Sequence, residues 1–130
     1  MLEEFPIHAT VAASDIARAR SWYKDKLDLD PKKEMMGNLW FEFAPGTWLL
    51  VYQTGSAGTA QNTQAGWAVK DIESVMEGLR ARGVQFEEYD MGEMRTVDGL
   101  LDVPGYGKAA WFKDSEGNIF ELSEPVAATP

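Results

Sequence analysis

KAAWFKDSEGNIFELS, Lys108 to Ser123, reads as a hairpin. An apolar strand runs through Ala109, Ala110, Trp111 and Phe112. Asp114-Ser115-Glu116-Gly117-Asn118 makes a tight polar turn, and a second strand covers Ile119 to Ser123. Strand alternation puts Ile119, Glu121 and Ser123 on one face, with Phe120 and Leu122 on the other. If Phe120 and Leu122 face covering helices, Glu121 projects into whatever the opposite face encloses.

The same plan occurs 71 residues earlier. Trp40-Phe41, Gly46 and Leu50 fall where Trp111-Phe112, Gly117 and Glu121 fall, which makes Leu39 to Tyr52 a second copy of the hairpin. An offset of 56 relates two further segments, His8 to Ile16 and Gln64 to Ile72, each an alternating strand followed by an Asp-Ile pair that opens a helix. The offsets differ by 15 because the later copy carries a longer connection between Glu87 and Lys108. Units of this size exceed solenoid periods and fit a duplicated βαβββ module. Each module alone leaves a sheet face uncovered, so the two must pack on each other or on another chain. The expected fold is α+β: two tandem βαβββ modules forming a cupped mixed sheet with flanking helices. Residues 1–130 make a single domain of module 5–54 and module 64–124, joined by linker 55–63.

In chain order, strands are expected at 5–13, 32–36, 39–43, 47–53, 64–69 and 84–89, ahead of the final hairpin. Ser14 or Asp15 caps a first helix whose buried stripe is Ile16, Ala19, Tyr23 and Leu27, and Asp28 ends it with a positive φ. A second helix spans 71–82 on Ile72, Val75, Met76 and Leu79, stopped by Gly83; Gly78 within it would mark close packing. The stretch 90–107 is long and glycine-bearing, and reads as a lid over a cavity or as a surface excursion. Trp22 reads as packing or interface.

The formal charge of −9, from 21 acids against 12 bases, disfavours a phosphate backbone as partner. No apolar run reaches the 18 or so residues of a membrane span, so neither nucleic acid nor membrane is expected. The Met-Leu-Glu-Glu start lacks the basic and apolar regions of an export signal, and without cysteine there is no disulfide framework or zinc thiolate. The expected location is cytoplasmic.

His8 is the only histidine, and Gln64 takes its place in the second copy. With Glu121 these strand starts and strand end supply an imidazole, an amide oxygen and a carboxylate, a set suited to one borderline divalent ion (Fe, Mn, Ni, Co or Zn) that could polarise a carbonyl or stabilise an enolate. The fourth equivalent place is Leu50, which cannot ligate. Without a metal, Gln64 and His8 are polar cavity residues, and Glu121 with His8 forms an acid/base pair as the catalytic groups. Trp40, Trp48, Trp67 and Trp111, with Tyr52 and Tyr106, supply an aromatic pocket for a flat or apolar ligand.

These residues resemble the vicinal oxygen chelate superfamily, the glyoxalase, bleomycin resistance protein and extradiol dioxygenase group. The resemblance rests on His8 with Asp15, Ser21-Trp22-Tyr23 and Leu27-Asp28-Leu29; on Trp67 to Ile72; on Leu79 to Val84; and on Lys113 to Asn118 leading to Glu121-Leu122. It implies paired modules in a cupped open sheet and a homodimer. It also implies metal ligands at His8, Gln64 and Glu121, with Leu50 breaking the four-ligand glyoxalase set and Gln64 standing where histidine is frequent. The implied function is a glyoxalase- or dioxygenase-like enzyme acting on a small organic molecule. The alternative is a non-catalytic, antibiotic-type binding or sequestering protein that needs no cofactor.

Overall fold

The computed structural model describes residues 1–126. After a 3-10 turn at Leu2–Glu4, the chain forms β1 (Ala9–Ala13), α1 (Ile16–Leu27), β2 (Lys33–Met35), β3 (Asn38–Glu42) and β4 (Trp48–Gln53). It repeats the plan with β5 (Thr63–Ala68), α2 (Ile72–Ala81), a small hairpin of β6 (Asp90–Met91) and β7 (Met94–Arg95), then β8 (Leu101–Val103), β9 (Gly107–Lys113) and β10 (Ile119–Pro125). Two four-stranded mixed sheets result, ordered β1-β4-β3-β2 and β5-β10-β9-β8, with one parallel pair in each.

The pairing registers reproduce the two sequence offsets. Thr10 pairs with Leu50 as Gly66 pairs with Glu121, and Trp40 pairs with Leu50 as Trp111 pairs with Glu121. Helix ends follow local chemistry. Asp15 caps α1 by accepting the Arg18 N–H at 3.0 Å, and Asp28 closes it in the left-handed region at φ 56°.

Residues 84–89 do not form the expected strand. Their backbone pairs with β9 only through the bridge Phe86 to Phe112 and a hydrogen bond from Glu87 N to Trp111 O of 2.8 Å. Lys32 N donates to Trp40 O in the same way at 2.7 Å, so Glu87 is where the counterpart of β2 begins. The chain then leaves β9 and returns as β8, whose Leu101 pairs with Ala109. The long connection therefore interrupts a strand rather than following one. It is tied back on itself by Glu88, whose carboxylate accepts from the Thr96 hydroxyl and the Gly99 N–H.

A continuous core joins the modules. Tyr23, Phe41, Phe112 and Phe120 are buried together with Val11, Leu39, Val51, Ile72 and Met76, each large side chain worth about 1.5–3 kcal/mol of burial. Trp22 and Trp67 stack on Phe112 from 6.3 and 6.2 Å.

The 114–118 turn locks the modules together. Asn118 Nδ2 donates to Ala12 O at 2.7 Å and to Asp114 Oδ2 at 2.8 Å, and the Tyr23 hydroxyl donates to the same carboxylate oxygen at 2.6 Å. Glu116 Oε1 accepts the N–H groups of Ser14 and Asp15 at the entrance to α1. Bonded also to Arg18, which is the largest influence, its carboxyl titrates well below the usual range, at about 2. The linker packs on this turn as well, since a Cβ on Gly58 would meet Glu116 O at 2.6 Å.

Candidate functional site

One side chain from each strand of the first sheet forms a ladder on the face opposite the core. His8, just ahead of β1, stacks on Trp48 of β4 with centroids 4.5 Å apart and planes 13° apart. Trp48 stacks on Trp40 of β3 at 4.9 Å and 12°, and Lys33 Nζ of β2 lies 4.6 Å over the Trp40 ring. Cross-strand neighbours on one face are held at stacking distance by the sheet itself, and a cation over an indole completes the row. Trp40 Nε1 donates to Glu42 Oε1, and Lys32 pairs with the same carboxylate. Alternation along β4 places Leu50 and the exposed Tyr52 on this face too.

The ladder ends at a cavity of about 320 Å³ between the starts of β1 and β5, strands that lie side by side but belong to separate sheets. His8, Trp48, Gln64 and Trp67 line it, and Ile7, Phe43 and Phe120 add apolar wall. Four of the candidate residues thus meet at one opening.

Gln64 reaches that wall through an irregularity. Ile119 pairs with Thr63 and Phe120 with Ala65, so Gln64 is the extra residue of a β-bulge. Its Oε1 accepts the Ile119 N–H at 3.1 Å, and the neighbouring Thr63 Oγ1 accepts from Trp111 Nε1 at 3.1 Å.

The other candidates lie elsewhere. Glu121 is half-buried on β10 opposite Gly66 and does not line the cavity; no hydrogen-bond or ion-pair partner for its carboxylate is found among the described residues. A Cβ at Gly66 would meet Glu121 O at 2.6 Å, so glycine there permits the close approach of β5 and β10. Trp111 sits edge-on to Tyr89 at 5.6 Å. Tyr106 is 83% exposed on the turn between β8 and β9, and no residue of 90–107 lines the cavity.

The donor set does not fit the divalent metal that the fold family implies. Gln64 has committed its oxygen to Ile119, Leu50 offers none, and no group of three or more His, Cys, Asp or Glu side chains comes together among the described residues. Lys33, Phe43 and Ile7 were not singled out from sequence. Lys33 alternates with Met35 along β2, but its seat over Trp40 depends on a register that only pairing fixes. No helix among the described residues is long and apolar enough to cross a membrane.

The antibiotic binding protein TnmS3 from Streptomyces sp. CB03234 has a similar fold: 20% identity over 93% of this chain and 95% of that one, with a TM-score of 0.67. A glyoxalase / bleomycin resistance protein from Catenulispora acidiphila DSM 44928 gives 18%, 94%, 99% and 0.67 in the same terms. The fosfomycin resistance protein FosX from Listeria monocytogenes, complexed with Mn(II) and sulfate, gives 18%, 93%, 90% and 0.64. No curated protein matches the sequence. Residues 6–122 match the model of the Glyoxalase/Bleomycin resistance protein/Dioxygenase superfamily, and with both βαβββ-like modules in place the chain belongs to that superfamily.

Proposed function

We propose that this chain is a small-molecule binding protein that holds a planar, largely apolar ligand at the aromatic ladder and its cavity without transforming it. The carrying observation is the His8–Trp48–Trp40 stack running into an opening walled by Trp67, Phe43 and Phe120. Such a surface offers large, rigid contact area at little entropic cost, which is what a flat ligand needs. An antibiotic binder of similar fold, TnmS3, fits this reading.

The proposal takes 1–130 as a single domain whose two module faces curve into a cup. It takes the assembly as a homodimer, since β1, β2, β5 and β8 are edge strands of their sheets. A monomeric mass by sedimentation at micromolar concentration would refute the dimer.

The test is calorimetric titration with a panel of planar aromatic antibiotics, followed by mass analysis of the recovered ligand. Saturable binding that weakens at least tenfold in Trp48→Ala, with ligand returned unchanged, is the expected result. Recovery of a chemically altered ligand would overturn it in favour of catalysis. Glu121 supports that second reading on its own account, because a half-buried carboxylate without a partner among the described residues is free for acid/base work. Turnover abolished by Glu121→Gln would establish it.

A further inference from the structure

We infer that Gln64 is the specificity-determining residue of this cavity, and that it selects ligands carrying a hydrogen-bond acceptor, such as a ring carbonyl, on the planar body. The inference rests on the binding reading above. A side-chain amide offers one acceptor and two N–H donors, and here the two ends are divided. Oε1 takes the Ile119 N–H at the bulge, which fixes the plane of the amide. Nε2 has no partner among the described residues, so its donors remain for whatever enters.

The rest of the wall agrees in sign. No aspartate or glutamate lines the cavity, although the chain carries a formal charge of −9. The Thr47 hydroxyl is already donated to Ala44 O at 2.8 Å, and His8 Nδ1 lies 3.4 Å from Thr10 Oγ1. The indoles of Trp48 and Trp67 are donors and never acceptors. An acceptor-bearing ligand therefore meets donors set in apolar surface, whereas a ligand whose polar groups only donate meets no carboxylate.

Gln64→Glu separates the two ends of the amide. A carboxylate still accepts from Ile119 N–H but presents a second acceptor where Nε2 stood. Gln64→Leu removes both ends. The probes are fluorenone and fluorene, each carrying the same 2-trimethylammonium group, so that they differ only by a carbonyl in place of a methylene and neither has another acceptor; each is titrated by calorimetry into the full-length protein. Hydrogen exchange at the Ile119 amide is followed alongside.

Wild type is expected to prefer the fluorenone by roughly tenfold or more, the usual worth of a hydrogen bond in a desolvated site. Gln64→Glu should erase that preference while Ile119 stays protected, and Gln64→Leu should lose the protection as well. Equal binding of the two probes by wild type, or a preference that survives Gln64→Glu, overturns the inference and leaves the binding reading standing. Failure of both probes to bind overturns both.

Discussion

Arg18 reaches across the module boundary to Glu116, with Nε donating to Oε2 at 2.8 Å and a terminal nitrogen to Oε1 at 2.9 Å. Arg18 lies on the helix of the first module and Glu116 on the hairpin turn of the second. The carboxylate also receives two backbone N–H groups at the start of α1, where the helix dipole favours negative charge. This buried group couples the docking of the modules to its own ionisation.

Acid should therefore loosen the junction. The folded-state value of about 2 lies below the ordinary carboxylate value, so the stabilisation is fully present above roughly pH 5 and is lost as pH falls toward 2. A depression of this size corresponds to about 3 kcal/mol, an upper figure because Arg18 is half-exposed. Urea unfolding of wild type and Glu116→Gln should differ by a few kcal/mol at pH 7 and by roughly half of that or less at pH 3, converging only as pH falls through 2. A constant difference across that range would contradict the account.

Tyr23 makes the companion prediction. Its ring is fully buried, and its hydroxyl is held against the Asp114 carboxylate; burial first and that charge second push its ionisation well above the ordinary phenol range. Tyr23→Phe keeps the packing but removes one of four donors to Asp114, which retains both bonds from Asn118 and the Glu116 N–H. The expected cost is about 1–2 kcal/mol in chemical denaturation, with ligand binding unchanged. A neutral substitution would show that Asp114 is satisfied without it.

The repeat, both helices and the hairpin were legible because apolar spacing and turn residues are local signals, and both offsets reappear as strand registers. The split strand at Glu87 and Leu101 was not, because nothing in 84–89 announces that the chain will leave and come back. The site was half-legible for the same reason. His8, Gln64, Trp48 and Trp67 follow from equivalent places and alternation. The bulge that turns Gln64 toward Ile119 depends on a pairing with residues 55 positions away, and no spacing within either strand reports it. Gly78 was misread: nothing lies within 4 Å of a Cβ built there, so it marks no close packing.

Gly78→Ala follows from that correction. The residue sits inside α2 on its exposed side, with no positive φ to preserve and open space where the methyl would go. Alanine lowers the backbone entropy of the unfolded chain and is the better helix former, so stability should rise by about 1 kcal/mol. Thermal unfolding should shift upward by a few degrees. A lower midpoint would mean that the helix face is covered by something, most simply a second copy of the chain.

Metal content gives the last prediction, and it bears on function most directly. The strand positions that could hold an ion carry His8, Leu50, Gln64 and Glu121. Of these Leu50 has no donor atom, the Gln64 oxygen is engaged by Ile119, and the His8 ring is stacked on Trp48 with Nδ1 toward Thr10. Binding an ion through the Gln64 oxygen would require giving up its part-buried hydrogen bond from the Ile119 N–H, at a cost of about 1–3 kcal/mol before any ligand–metal bond forms. Protein incubated with Mn(II), Ni(II) or Zn(II) and then desalted should retain far less than one ion per chain. Its melting temperature should not move with added metal, since an ion that bound the folded state would raise it. Glu121→Gln should leave both readings unchanged. Near-stoichiometric metal that disappears in Glu121→Gln would show that Gln64 releases Ile119 to complete a site, and would return the chain to the catalytic branch of its superfamily.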